Sequence, residues 1–330
     1  MKLIKQLRKK YSKEIKTLYF DLVLAYLIKK PREFLYSHLE YNLTLFEYLK
    51  FKIYLKKLSK GLPIAYITKT KEFFGLKFFV SKNVLIPRPE TEIMVEEVLK
   101  QLCFHSKQTN CHSELVSESL ACHPEQSEGS NITLIDVGTG SGCIPISIMT
   151  TLQHYNTATQ NEIKYYAIDI SKKALKVAKK NTKHHGINIK FLYGNLLEPI
   201  LEHFNTTTPV PPRLMSRVTG QALQHCNKVI ITANLPYVTE KQYSREKSIQ
   251  HEPKLALTAK KSGLDLYEKL LKQIVLLPNN YSTLSIYFEI DPDQTEKIKV
   301  LIKKYLPKAD TEIIKDLSGK NRIVKIILSN

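Results

Sequence analysis

The chain has 330 residues, 43% of them hydrophobic and 25% charged, with a formal net charge of +19. That length allows two domains, or one large domain with an appendage. The composition excludes an intrinsically disordered chain, a collagen-like repeat and a disulfide scaffold.

Residues 1 to about 60 carry apolar side chains at helical spacing: Leu3, Ile4 and Leu7, then Ile15, Leu18, Tyr19, Leu22 and Val23. Thr44 and Glu47 have the spacing of a capping box, which opens a helix carrying Leu45, Tyr48, Leu49, Ile53 and Leu55. Gly61 and Pro63 stop it. This stretch reads as a small helical bundle over 1–65. Over 66–88, Phe73, Phe74, Phe78, Phe79 and Val80 flank Gly75, which suggests a β-hairpin linker. Pro87-Arg88-Pro89 breaks the chain, and helical spacing resumes from Glu90 to Leu102.

From there strands and helices alternate. Ile132–Val137, Tyr165–Ile170, Lys190–Tyr193, Val229–Thr232 and Leu284–Ile290 are predicted strands, with a helix over Lys172–Asn181, so residues 89–330 should form a parallel sheet covered by helices. Thr311–Leu317 and Arg322–Leu328, joined by Ser318-Gly319-Lys320-Asn321, should add an antiparallel hairpin at the edge. Residues 105–130 and 206–226 are rich in Ser, Thr, Pro, His and Gln without a sustained period, and they read as surface insertions.

Charge and cysteines exclude further classes. Only seven of the 50 basic residues are Arg, so the excess is a diffuse lysine surface rather than a set of phosphate-reading forks, and no dedicated nucleic-acid site is expected. Cys111-His112 and Cys122-His123 lack zinc-site spacing, so no metal is expected. An odd count of five unpaired cysteines fits a reducing compartment. No uncharged apolar run reaches the roughly 18 residues of a membrane span. A soluble, cytoplasmic monomer is the expectation.

Three groups of residues carry chemistry. Asp136-Val137-Gly138-Thr139-Gly140-Ser141-Gly142 follows a strand and precedes a helix. Glycines let that turn approach a ligand, and the helix start offers free N–H groups. Dinucleotide sites need a third glycine where Cys143 stands, so S-adenosylmethionine suits the spacing better. Asp169 ends the next strand, where a carboxylate can accept ribose hydroxyls. Asn234-Leu235-Pro236-Tyr237 follows a third strand. There the Asn234 carboxamide oxygen and the Leu235 carbonyl can accept the two N–H bonds of a planar amide or aromatic amine, with Tyr237 stacking on it.

These motifs, with Gly61-Leu62-Pro63, Glu72-Phe73-Phe74-Gly75, Glu252-Pro253 and above all Leu85-Ile86-Pro87-Arg88-Pro89-Glu90-Thr91-Glu92, resemble the protein-(glutamine-N5) methyltransferases of peptide chain release factors, the PrmC/HemK family. The resemblance spans nearly the whole chain outside the two insertions. It implies an α/β fold: a Rossmann-like S-adenosylmethionine-dependent methyltransferase domain, a small all-helical N-terminal domain that recognises the protein substrate, and a β-hairpin linker. It implies methyl transfer to the glutamine of a Gly-Gly-Gln motif, with release factors as partners. Cofactor contacts would fall on Gly138, Thr139, Gly140, Ser141, Gly142, Asp169, Asn195, Leu196 and Asn234, substrate contacts on Asn234, Leu235, Pro236 and Tyr237, and catalysis on Asn234 and Tyr237. The family's usual Asn-Pro-Pro-Tyr is altered at Leu235, and its usual acidic and aromatic pair after Gly194 is Asn195-Leu196. The competing readings are an adenine-N6 methyltransferase acting on DNA or RNA, which would need a flipped base, and a catalytically silent binding protein.

Because the first insertion has no apolar period to bury, deleting residues 107–128 should leave folding and methyl transfer within about twofold of the parent, loop length having a shallow entropic effect. Insoluble or inactive deletion protein would overturn this.

Overall fold

The computed structural model describes residues 2–11, 16–104, 132–155, 163–204, 228–259 and 263–329; both predicted insertions lie outside the described residues. The chain opens with β1 (Lys2–Leu3), α1 (Ile4–Tyr11), α2 (Thr17–Ile28), α3 (Phe34–Ser37), β2 (Asn42–Leu43), α4 (Leu45–Ser59) and α5 (Ile64–Thr68). The N-terminal region is thus helical except for a two-residue antiparallel ladder between β1 and β2. The capping box of α4 forms: Glu47 N–H donates to Thr44 Oγ1, and Thr44 N–H donates to Glu47 Oε2.

Only part of the apolar set on α4 is buried. Phe51 and Leu55 are buried, whereas Leu45, Leu49 and Ile53 are 73%, 50% and 53% exposed. These three lie at i, i+4 and i+8, a row on the opposite side of the helix from Phe51. Phe51 wins the core because Tyr11 and Phe20 meet it edge-on, at centroid separations of 5.7 and 5.3 Å.

Tyr66, placed by sequence in the hairpin linker, belongs to α5; its hydroxyl donates to Val84 O at 2.8 Å. The hairpin itself is β3 (Thr70–Phe73) and β4 (Leu76–Phe79), paired antiparallel. Phe74 and Gly75 both have positive φ, +51° and +69°, the signature of a tight primed turn. A short 3-10 turn over Pro89–Thr91 leads into α6 (Glu92–Phe104).

The remainder runs β5 (Ile132–Val137), α7 (Cys143–His154), β6 (Ile163–Asp169), α8 (Lys172–His185), β7 (Lys190–Tyr193), α9 (Glu198–Phe204), β8 (Lys228–Ala233), β9 (Val238–Thr239), α10 (Glu240–Arg245), α11 (Lys254–Leu257), β10 (Thr258–Ala259), α12 (Asp265–Ile274), β11 (Thr283–Glu289), α13 (Thr295–Tyr305), β12 (Asp310–Lys315) and β13 (Asn321–Ser329). Each predicted strand ends within two residues of the observed one. Among the described residues a seven-stranded sheet has the order β12-β13-β11-β8-β5-β6-β7, parallel from β11 to β7, with the β12–β13 hairpin antiparallel at the edge as expected. All six residues of β5 are buried because helices cover both faces. One face packs on α12 and α13 through Leu270, Ile274, Ile298 and Ile302; the other packs on α6, α7 and the hairpin through Met94, Val98, Ile146 and Phe78.

Asn181 ties these layers together. It lies inside α8, which runs past the predicted end to a left-handed cap at Gly186. Fully buried, it accepts from Phe79 N–H at 2.7 Å and donates to Phe79 O at 3.1 Å and Ser141 O at 2.8 Å. Asn181→Leu would strand three backbone groups and should cost about 3–5 kcal/mol in urea unfolding. A loss below about 1 kcal/mol would mean that the hairpin is held by other contacts.

Candidate functional site

The parallel register decides which residues meet. Val137 pairs with Ile168 and with Ala233, and Ala233 pairs with Phe288. One residue further on, Asp169, Gly138, Asn234 and Glu289 therefore stand side by side across four adjacent strands. The chain leaves β5 toward β6 and returns on the other side at β8, so a crevice opens between their C-terminal ends. That crevice is lined by Gly138–Ser141, Asp169, Asn195, Leu196 and Asn234–Pro236, with Leu85, Pro87, Arg88 and Thr91 from the segment before α6.

Gly138, Gly140 and Gly142 all have positive φ, which L side chains rarely adopt. At Gly138 an added Cβ would stand 3.1 Å from Leu235 Cδ2, so the loops after β5 and β8 touch where a side chain would separate them. Asp169 fastens the loop: its Oδ2 accepts from Gly140 N–H at 2.9 Å and its Oδ1 from Ser171 N–H at 2.7 Å. Burial raises its pKa, and the two amides oppose that rise. Ser171, rather than Asp169, caps α8, accepting from Ala174 N–H at 3.2 Å.

Asn195 and Leu196 reach the crevice in different ways. Asn195 Nδ2 donates to Glu198 Oε1 at 3.1 Å, leaving its carboxamide oxygen for another donor. Leu196 is buried with φ +57°, shared between the crevice wall and the core. Leu235 N–H donates to Tyr267 Oη at 3.1 Å, and Tyr267 donates in turn to the Glu289 carbonyl. Tyr237 is not among the crevice-lining residues; its hydroxyl lies 3.5 Å from Glu289 Oε1, and burial raises its pKa. The expected stacking residue thus faces Glu289 instead of the opening.

Sequence reasoning gave no individual role to four polar residues around this crevice. Asn181 is one. Glu252, almost fully buried, accepts from Ile86 N–H at 3.0 Å and from the Arg88 guanidinium. Thr91 and Glu289, both buried, hydrogen-bond each other and the Asn234 side chain. The only local signal for Glu289 was a carboxylate in a predicted strand that carries no other charge. Cys143, at the start of α7, is buried, and burial pushes its thiol up to about 12.

Asp136, at the floor of β5, accepts from Thr232 Oγ1 at 2.8 Å, and burial pushes its carboxyl up to about 6. The folded state keeps that proton longer than the unfolded chain, where Asp titrates near pH 4. The stability it confers is full below about pH 4 and is lost as pH rises to 6. Asp136→Asn should remove that slope, gaining about 1–3 kcal/mol on the parent between pH 4 and 7 in denaturant titrations. Parallel curves would show that Asp136 does not titrate in this window.

Comparison with known proteins agrees with this architecture. Residues 2–68 match the PrmC N-terminal domain, and residues 128–229 match a methyltransferase domain. The release factor glutamine methyltransferase of Bacillus anthracis is 30% identical over 307 residues, 92% of this chain and 90% of that one. Its counterpart in Flavobacterium psychrophilum is 29% identical over 96% of this chain and 92% of that one. A bifunctional methyltransferase of Rickettsia typhi is 30% identical over 92% of this chain but only 52% of its own length. With this likeness running through both the helical region and the sheet that builds the crevice, the chain belongs to the family of release factor glutamine methyltransferases.

Proposed function

We propose that the protein transfers a methyl group from S-adenosylmethionine to the side-chain amide nitrogen of the glutamine in the Gly-Gly-Gln motif of release factors. The observation that carries this reading is one crevice with a glycine-loop cradle and Asp169 at one end and the Asn234–Pro236 turn at the other.

The residues present fit the cofactor. A Cβ at Gly138 would crowd the cradle against Leu235. Thr139, buried on the crevice wall, places its hydroxyl between Asp136 and the opening. Asp169 uses neutral amides as its own donors and keeps lone pairs for ribose hydroxyls. Asn195 offers its free carboxamide oxygen and Leu196 an apolar wall for adenine. Bound there, S-adenosylmethionine supplies an electrophilic methyl on a sulfonium.

An amide nitrogen is a weak nucleophile because its lone pair is delocalised, so the protein's task is alignment rather than strong base catalysis. Asn234 Oδ1 and the Leu235 carbonyl accept the two amide N–H bonds, which turns the nitrogen lone pair toward the methyl. Pro236 and the apolar wall of Leu85 and Pro87 exclude water. Tyr237 braces the turn from Glu289. The N-terminal helices supply the docking surface for the protein substrate, with the exposed Leu45, Leu49 and Ile53 row as its apolar strip.

Offering labelled S-adenosylmethionine with purified release factor, RNA and DNA tests the reading. Label should enter release factor alone and vanish when its motif glutamine is changed to Ala; labelled RNA or DNA would overturn it. Asn234→Ala should slow transfer about a hundredfold or more with cofactor affinity changed about threefold at most. Asn234→Asp should be no better than Ala, because it would set a carboxylate oxygen against Glu289 Oε2, which is 2.8 Å from Asn234 Nδ2.

A further inference from the structure

We propose that Glu289 and Thr91 are the positioning pair that fixes which way round the Asn234 carboxamide faces, so that the crevice presents an acceptor and not a donor to the substrate nitrogen. The inference rests on the reading of Asn234 as the acceptor for the glutamine amide.

A primary carboxamide has two N–H donors and one strong acceptor oxygen. Asn234 Nδ2 donates to Glu289 Oε2 at 2.8 Å and to Thr91 Oγ1 at 3.1 Å. Thr91 Oγ1–H donates in turn to Glu289 Oε2 at 2.6 Å. The three groups close a ring in which Asn234 Nδ2 is the donor to both partners and Oδ1 is left for the crevice. Turning the carboxamide over would set Oδ1 against a carboxylate oxygen and against a hydroxyl whose proton is already committed. It would also offer the substrate –NH2 a second –NH2, and two donors cannot pair. Thr91 comes from the segment before α6, Asn234 follows β8 and Glu289 ends β11, so the ring forms only in the assembled fold.

The ionised carboxylate sets this direction, because it can only accept. Burial pushes Glu289 up to about 7, opposed by the Thr91 and Tyr237 hydroxyls and by Arg322 on β13, and reinforced by Glu90 in the 3-10 turn. The Tyr267 hydroxyl meets the Glu289 main-chain oxygen instead. Once protonated, Glu289 becomes a donor that can face Asn234 Oδ1 and turn the amide over.

The test uses the full chain, labelled S-adenosylmethionine and release factor, with cofactor affinity measured separately by calorimetry. Glu289→Gln should lower kcat about tenfold or more at pH 8, with KM for release factor and cofactor affinity within about twofold. The rise of kcat with pH through about 7 in the parent should vanish in the variant. Thr91→Val should lower kcat similarly, and Thr91→Ser should restore most of that loss. A readout without substrate accompanies these: in protein carrying 13C-carboxyl glutamate, Thr91→Val should raise the Glu289 pKa, since a donor to the charged form is lost. An unchanged pH limb in Glu289→Gln, or a Glu289 titration indifferent to Thr91→Val, would overturn the inference. A parent that labels no release factor would instead remove the functional reading, while the carboxyl titration still decides whether the ring exists.

Discussion

Everything at the crevice depends on the hydrogen-bonded register of four parallel strands. Asp169, Gly138, Asn234 and Glu289 are separated by up to 151 positions in sequence, yet each is the residue that ends, or first follows, its strand at one rank of the ladder. A slip of one residue in any of these strands would turn its side chains to the opposite face and dissolve the row. The β-branched, doubly buried runs resist that slip, because both faces of each strand already have fixed packing partners. Core packing and functional geometry are therefore the same constraint, and the polar residues need only sit at the right rank.

The legible part of the site was the part with a local cause. A glycine loop after an apolar run, a carboxylate at a strand end and an Asn-Leu-Pro-Tyr turn each announce themselves within a few residues. Glu252, Thr91 and Glu289 do not, because their meaning lies in partners far away: Thr91 meets Glu289 across 198 positions and Glu252 meets Ile86 across 166. The Leu85–Glu92 segment was recognisable by resemblance alone, and the fold supplies its physical content. Ile86 and Arg88 hold Glu252, Thr91 holds Glu289 and Asn234, and Glu92 accepts the Phe74 N–H of the hairpin turn at 2.9 Å. Which side of α4 turns inward was hidden for the same reason. Periodicity locates an apolar stripe, and only the aromatic partners Tyr11 and Phe20 decide which stripe turns inward.

Leu235 shows how a departure from the family's usual Asn-Pro-Pro-Tyr can be absorbed. Proline carries no N–H, so leucine at this place adds a buried donor that needs a partner. Tyr267 supplies it, accepting from Leu235 N–H and donating its own proton to the Glu289 carbonyl. The substitution thus adds a link between the turn and β11 instead of an orphaned group. The leucine side chain is also buried and packs over Gly138, so the turn gains a contact with the glycine loop that depends on the absence of a Cβ there.

The chain's net charge of +19 misleads about the crevice. Among the described residues that line it, the charged side chains are Arg88 and Asp169. Arg88 is neutralised by Glu252, whereas the partners of Asp169 are uncharged backbone amides. Glu289 stands in the same row of strand ends, and Asp136 lies two residues deeper in β5. Asp169, the one carboxylate on the described crevice wall, is thus held by uncharged amides alone, and a buried charge is screened far less than the exposed lysines. Its place follows from where β6 ends, so a carboxylate can face the crevice in a chain of strongly positive net charge.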